Sequence, residues 1–291
     1  SEFSITRFAP SPTGHLHLGH AFSALFAEDR ARRSGGRFLL RIEDIDAERC
    51  KDEYEAAIFE DLAWLGLRWE TPVRHQSEHL DDHADALARL AALGLLYPCF
   101  CTRKAIRKEI KSARNAPHHG PEGPHYPGTC RRLDPDEAAT RKRAGRPFAL
   151  RLDTEKALST ITRPLVWNDP ERGSFTARPE RFGDVVLARK DIPASYHLAV
   201  TVDDHLQGIT LVTRGEDLLP ATDIHRLLQA LLDLPVPEWF HHPMITDTSG
   251  VRLAKRTNAP TLRELREQGM TPEQVRTMAD QSAANAQPTL L

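Results

Sequence analysis

Two histidines, His17 and His20, flank Gly19 in the run His15-Leu16-His17-Leu18-Gly19-His20. An H-x-G-H spacing where a strand meets a helix N-terminus suits an anion, because free backbone N–H groups and the helix dipole face the ligand. Gly19 lets a nucleotide approach the backbone closely. Two imidazoles there can stabilise charge growing on a phosphate. Taken alone, the same pair also suits helix capping. Cys99, Cys101 and Cys130 form a second constellation: three of the chain's four cysteines sit in one short segment. That grouping points to zinc rather than redox chemistry. The fourth donor is not fixed by chemistry, since His118, His119 and His125 are better ligands in general than the phenol of Tyr126. Cys50 stands apart and reads as structural.

A third set lies near the ends of expected strands: Arg7, Glu43, Tyr196 and Arg214. An arginine fork suits a carboxylate held away from water. Glu43 is placed to hold an ammonium group. Strand ends on one side of a parallel sheet are where such a fold binds ligands.

The elements that position these residues follow from the pattern of apolar residues and breakers. Ser4 to Ala9 reads as a strand, followed by the breaker-rich turn Pro10-Ser11-Pro12-Thr13-Gly14. A helix starts near Gly19, with Leu18, Phe22, Leu25 and Phe26 at helical spacing, and Gly35-Gly36 stops it. Arg37 to Ile42 is a second strand, ending in the acidic run Glu43-Asp44-Ile45-Asp46. Helices are expected over Asp52 to Leu65 and His79 to Leu93. Alternating strands and helices argue for a parallel α/β sheet. The pattern breaks near Tyr97, so residues 99–190 read as an insertion, with Asn115 to Gly128 a loop. It resumes with strands at His197 to Val202 and Ile209 to Thr213, a helix from Pro220 to Leu232, and an apolar stretch at His242 to Ile245. Residues 1–98 and 191–260 then form the two halves of the sheet domain, and 261–291 a short helical tail, frayed after Gln281.

Composition narrows the partners. The net charge is −2, yet Thr102 to Arg146 carries 12 Lys and Arg against 5 Asp and Glu. A local basic region on an acidic body suits a polyanion docked at one place. No stretch approaches the roughly 20 apolar residues of a membrane helix, and no signal pattern opens the chain. A cytoplasmic monomer without a membrane partner is the expectation.

The segment Arg7-Phe8-Ala9-Pro10-Ser11-Pro12-Thr13-Gly14-His15-Leu16-His17-Leu18-Gly19-His20 resembles the first signature of class I aminoacyl-tRNA synthetases, in the long form of the glutamyl and glutaminyl subgroup. Arg41-Ile42-Glu43-Asp44-Ile45-Asp46 is similar to that subgroup too. Arg252-Leu253-Ala254-Lys255-Arg256 stands where the lysine-bearing second signature belongs, and only Lys255 matches the lysine the chemistry needs. The resemblance implies a Rossmann-type parallel sheet with a zinc-containing α+β insertion. It implies ATP with Mg²⁺ at His17, Gly19, His20 and Lys255, with His17, His20 and Lys255 catalytic. It implies L-glutamate at Arg7, Phe8, Ala9, Pro10, Ser11, Glu43, Tyr196 and Arg214.

The Tyr-x₃-Cys spacing after Cys-x-Cys, and the few residues after Arg256, resemble a short paralogue family, the glutamyl-queuosine tRNA(Asp) synthetases. That family implies zinc on Cys99, Cys101, Tyr126 and Cys130. It implies glutamate activated without tRNA and esterified to queuosine at the wobble position, with the anticodon stem-loop of tRNA(Asp) as partner. Three other readings compete: the catalytic core of an ordinary glutamyl-tRNA synthetase, an H-x-G-H nucleotidyltransferase, and a catalytically weak RNA-binding module held by zinc.

Overall fold

The computed structural model describes residues 3–112, 119–246 and 259–286. Strand β1 (Ile5–Phe8) leads into helix α1 (Leu18–Arg33), β2 (Arg37–Ile42), α2 (Asp52–Trp64), β3 (Glu70–His75) and α3 (Leu80–Ala92). Next come β4 (Leu96–Cys99), α4 (Arg103–Ser112), the two-residue strands β5 (His119–Gly120) and β6 (Gly123–Pro124), α5 (Pro135–Arg143) and β7 (Ala149–Leu152). They are followed by α6 (Thr154–Ser159), β8 (Val166–Asp169), β9 (Gly173–Thr176) and β10 (Val186–Arg189). Then follow α7 (Tyr196–Leu206), β11 (Leu211–Gly215), α8 (Ala221–Leu231), β12 (Glu238–His242), α9 (Leu262–Glu267) and α10 (Pro272–Ala284).

Strands β1, β2 and β3 pair in parallel, and so do β11 and β12. The two pieces lie side by side. Thr210 N–H donates to the Ile5 carbonyl at 3.0 Å, and Arg7 reaches the Thr213 carbonyl at 3.1 Å. The chain leaves β1 toward β2 on one side and lays β11 on the other, so the strand order reverses at the β1–β11 seam. Ligands of open α/β sheets bind at such a switch point.

Apolar side chains cover both faces of this layer. One core joins Phe8, Leu40 and Ile42 to α1, α2, α9 and α10. The other joins Val212 and Trp239 to α7 and α8. On α1 the inward positions Ala21, Ala24, Ala27 and Ala31 are all buried. Their small size lets the helix lie close enough for the Thr6 hydroxyl to donate to the Ala27 carbonyl at 2.7 Å. At the turn into β2, a Cβ on Gly36 would fall 1.9 Å from the Ser4 carbonyl oxygen, so the glycine there is a steric requirement. Between the halves, β4, β7 and β10 form an antiparallel sheet, with β8–β9 as a separate hairpin.

The structure departs from the sequence expectations at five points. His197 to Val202 is not a strand but the first half of α7. Its β-branched run suits either state, and the Ser195 cap with burial on several sides decides for the helix. The last parallel strand is β12, a few residues ahead of the His242 to Ile245 stretch. Strand β3 was not anticipated, because its outer half is exposed and polar and shows no alternation. Helix α10 runs past Gln281 to Ala284 with Val275 and Ala279 buried against α1, and residues 287–291 of the expected frayed tail lie outside the described residues. In the expected loop from Asn115 to Gly128, β5 and β6 pair antiparallel, and residues 115–118 lie outside the described residues.

Helix α7 carries two buried acids, Asp203 and Asp204. Asp203 accepts from Arg74 Nη2 at 2.8 Å, Gln76 Nε2 at 2.8 Å and His83 Nε2 at 3.0 Å. Burial alone would raise its pKa, but the His83 bond and the Arg41 charge lead a set of opposing contacts that bring it down to about 2. A carboxyl with a depressed folded pKa adds stability above its unfolded value near 3.8, and that stability is lost as pH falls through the folded value. Asp203→Asn should therefore lower folding stability at pH 7 by about 2 kcal/mol, the worth of the depressed pKa, since half-buried Arg74 loses this carboxylate and keeps only Asp82 among the described residues. Urea denaturation at pH 7 and pH 3 checks this: the loss should be clear at pH 7 and smaller at pH 3.

Candidate active site

At the carboxyl ends of β1 and β11 the surface sinks into a cavity of about 600 Å³. Arg7, Phe8, Ala9, Pro10, Ser11, His17, Gly19, His20, Glu43, Tyr196 and Arg214 all line it. The structure thus brings together the expected ATP and glutamate residues, except Lys255, which lies outside the described residues. Met244 and Ile245, which precede that segment, line the same cavity. Ala259, which follows it, accepts from His17 Nδ1 at 3.2 Å.

The two histidines of the H-x-G-H run are not equivalent. Because His17 Nδ1–H donates to the Ala259 carbonyl, its ring is committed to the chain returning from the lysine segment. The backbone N–H of His17 donates to His20 Nδ1 at 2.9 Å. A neutral His20 then carries its proton on Nε2 and remains a donor. Its ring is open to the cavity, while the protein around it, and secondarily His17, lowers its pKa to about 4. It therefore offers a neutral N–H rather than a cation.

The arginines differ in how their charge is met. Arg7 Nε and Nη2 donate to Asp204 at 2.8 and 3.2 Å, and Arg41, fully buried, adds a bond to the same carboxylate at 2.8 Å. Arg41 Nη2 also lies 3.4 Å from Glu43 Oε1. Burial raises the pKa of Glu43, against the pull of Arg41 and Arg7, so a cationic ligand group beside it would be well received.

Arg214 is just as buried, yet its hydrogen-bond partners among the described residues are all neutral. Nε donates to His241 Nε2 at 3.2 Å, Nη1 to the Tyr196 hydroxyl at 3.2 Å and to His225 Nδ1 at 3.1 Å, and Nη2 to Thr222 Oγ1 at 2.7 Å. Burial lowers its pKa, but a guanidinium stays protonated. The cavity wall therefore holds one oriented cation fixed by dipoles instead of an acid. Tyr196 accepts from Arg214 and keeps its own hydrogen to donate. Asp204, Arg41, His225, His241 and Thr222 were missed in the sequence. The paired acids in an apolar run, Asp203-Asp204, were the one signal that could have flagged part of this network.

A second cavity of about 490 Å³ adjoins the first and shares Ser11, Glu43 and Tyr196 with it. Arg49, Arg103, Arg151 and Arg189 line it. Helix α4 presents exposed Arg103, Lys104, Arg107 and Lys108. Other basic residues of the expected basic region are engaged within the insertion. Arg141 and Arg146 lie over the Phe100 ring, and Arg131 sits near Asp153, Glu155 and Asp184.

In the insertion, the ligand atoms of Cys99, Cys101 and Cys130 lie within 4.8 Å of one another. Cys101 Sγ is 3.5 Å from both Cys130 Sγ and the Tyr126 hydroxyl. Tetrahedral thiolates at about 2.3 Å from an ion stand about 3.8 Å apart, so the donors fit one ion. His125 instead bonds the Arg181 carbonyl, and the His118 and His119 side chains lie outside the described residues.

Comparison with known proteins identifies what the chain is similar to. Residues 5–282 match the family described as tRNA synthetases class I (E and Q), catalytic domain. The chain is 50% identical over 277 residues to a glutamyl-Q tRNA(Asp) synthetase of Rhodobacter capsulatus, covering 94% of this chain and 98% of that protein. It is 42% identical to a glutamate–tRNA ligase of Aquifex aeolicus, but spans only 54% of its length. Among solved structures, a glutamate tRNA ligase from Elizabethkingia meningosepticum in complex with its amino acid superposes with TM-score 0.78 at 29% identity, over 95% of this chain and 60% of that one. No helix among the described residues is long and apolar enough to cross a membrane.

The neutral partners of Arg214 generate a pH prediction. Burial, and next the Arg214 charge, hold His225 well below the usual histidine range and His241 at about 2. The unfolded chain takes up those protons near pH 6.5 and the folded one does not, so stability falls as pH drops below that value. Each ring should cost roughly 2 kcal/mol by pH 5. In NMR titration both rings should stay neutral from pH 8 to 5; a midpoint near 6.5 for either would contradict this geometry.

Proposed function

We propose a function on one premise: the chain belongs to the class I tRNA synthetases, in the group whose catalytic domain serves glutamate and glutamine. On that premise it is an ATP-dependent ligase. The reading is that it activates L-glutamate to glutamyl-adenylate without tRNA, then transfers the glutamate to queuosine at the wobble position of tRNA(Asp). The observation that carries the choice of glutamate is Arg214, a buried cation among neutral partners at the cavity wall.

The roles follow from the chemistry of each group. The side-chain carboxylate of glutamate meets Arg214 and the Tyr196 hydroxyl, with Arg7 beside them. Glu43 takes the α-ammonium. Phe8, Ala9, Pro10 and Ser11 supply the wall between amino acid and nucleotide. The α-carboxylate oxygen attacks the α-phosphorus of ATP, and pyrophosphate leaves with its Mg²⁺. His20 donates Nε2–H to the phosphate, Gly19 lets the nucleotide close on the backbone, and His17 orders the segment around them. Lys255 follows the departing pyrophosphate. Zinc is the ion that suits three thiolates and a phenol, and on Cys99, Cys101, Tyr126 and Cys130 it would be structural.

The acceptor reading has two supports. One is the near full-length likeness to a protein named for tRNA(Asp). The other is the second cavity, with its four arginines open to the basic face of α4. Single-stranded loops are the usual targets of specific RNA recognition, since splayed bases can stack and bond. The phosphates of the stem then meet exposed Arg103, Lys104, Arg107 and Lys108.

Two measurements test these readings. In ATP–pyrophosphate exchange without tRNA, Arg214→Ala should cut kcat/KM for glutamate by about a hundredfold and narrow the preference over glutamine, since charge-assisted bonds are worth roughly 1.5–3 kcal/mol each. Unchanged selectivity would remove Arg214 from the role. For the acceptor, labelled glutamate should appear on tRNA(Asp) carrying queuosine and not on tRNA(Asp) lacking it. Equal charging of both, or efficient 3′ charging of tRNA(Glu), would favour an ordinary glutamyl-tRNA synthetase core.

A further inference from the structure

Neither His225 nor His197 lines the cavity, yet both continue the hydrogen bonds of Arg214 toward the surface. Arg214 Nη1 donates to His225 Nδ1 at 3.1 Å. His225 Nε2 stands 3.1 Å from His197 Nδ1. His197 Nε2 stands 3.1 Å from Glu122 Oε1 and 3.3 Å from Oε2. Both imidazoles are buried, while the Glu122 side chain is 54% exposed. Glu122 sits in the turn between β5 and β6, inside the insertion that carries the cysteine cluster.

Donor and acceptor rules give this chain one direction. A guanidinium can only donate, so His225 Nδ1 must be bare and its proton must sit on Nε2. That N–H requires a bare Nδ1 on His197, whose proton then sits on Nε2 and points at Glu122. The carboxylate, an acceptor only, completes the sequence. Reversing either ring would set two N–H groups against each other at 3.1 Å. The Glu122 charge and the Arg214 charge thus select the same pair of tautomers from opposite ends. His197 and His225 are wedged further by their ring contacts with Tyr196, at 5.9 and 5.5 Å between centroids.

We infer that His225 and His197 are positioning residues for Arg214, and that Glu122 ties the hairpin of the insertion to the orientation of that arginine. The inference rests on the reading that Arg214 holds the side-chain carboxylate of the substrate. A group docked on the insertion that moved Glu122 would release the His197 tautomer, loosen His225 and weaken the hold on glutamate from a distance.

The test uses the full chain and three variants in ATP–pyrophosphate exchange: Glu122→Ala, Glu122→Gln and Arg214→Ala. Glu122→Ala should raise the KM for glutamate about three- to tenfold, the worth of one such bond, and leave kcat and the KM for ATP within about twofold. Glu122→Gln keeps a carbonyl that accepts from His197 and should return the glutamate KM to within about twofold of the parent. Metal content should be the same in all, which separates this effect from damage to the cysteine cluster. Ring ¹⁵N shifts of the parent protein should show the Nε2–H tautomer on both His197 and His225, and Glu122→Ala should lose it on His197. If Arg214→Ala collapses glutamate use while Glu122→Ala changes nothing, the tie is wrong and the role of Arg214 stands. If Arg214→Ala also changes nothing, the reading beneath it has failed. A parent protein with Nδ1–H on either ring overturns the inference without any variant.

Discussion

Asp204 accepts from Arg7 on β1 at 2.8 and 3.2 Å and from Arg41 on β2 at 2.8 Å, so one carboxylate on α7 ties two strands of one half to a helix of the other. Each of these groups is buried, and a buried charge is tolerable only when paired and hydrogen-bonded. Remove the carboxylate, and among the described residues Arg7 loses its acid partner while Arg41 keeps only the longer contact to Glu43 at 3.4 Å. The seam between β1 and β11 is therefore held by the buried charge of Arg7, which also donates to the Thr213 carbonyl, as well as by the backbone bond from Thr210 to Ile5. Arg7, Glu43, Tyr196 and Arg214 are all set around that seam.

The same constraint decides where charge is left over. With Glu43 ionised, Arg7, Arg41 and Arg214 face Asp204 and Glu43, which leaves one positive charge in the cavity wall. Asp204 is claimed twice, so the unmatched charge resides on Arg214, whose partners are imidazoles and hydroxyls. Under the proposed function this is the condition for choosing glutamate. A ligand with two carboxylates and one ammonium brings the net charge of the wall to zero, whereas glutamine leaves the cation buried and unmatched. The two imidazoles contribute by staying neutral. Had either carried a proton, it would have met Arg214 as a second donor and a second cation.

The first half of the sheet domain, apart from β3, was legible in the sequence because its signals are local. The breaker-rich turn after β1, the helical spacing of Leu18, Phe22 and Leu25, and the Gly35-Gly36 stop each act within a few residues. The second half was less so. The stretch His197 to Val202 reads as a strand by residue type, and only packing on several sides makes it the helix α7. The candidate site shows the same division. Arg7, Glu43 and Arg214 were legible because they stand at strand ends, and the cysteines because they cluster, whereas Tyr196, expected before a strand, opens helix α7. The state of Arg7 was not, since Asp204 stands 197 positions away. Nor was the neutral surrounding of Arg214, which three separate elements supply. No pattern along the chain reports whether a buried cation is paired.

The insertion is joined to the catalytic half through the shared wall of its cavities. Cys101, one of the cluster thiols, lines the second cavity together with Arg103 and Ile106 of α4. That cavity meets the first at Ser11, Glu43 and Tyr196. An ion on the thiols would therefore fix the floor from which α4 projects its exposed cations, and so set the distance between a docked polyanion and the activated carboxyl group. Small displacements in a positioned reaction cost rate steeply. Under the proposed function, three thiols drawn together at β4 and beside it would stiffen the wall between the two cavities, and a structural ion there would bear on transfer without any part in the chemistry.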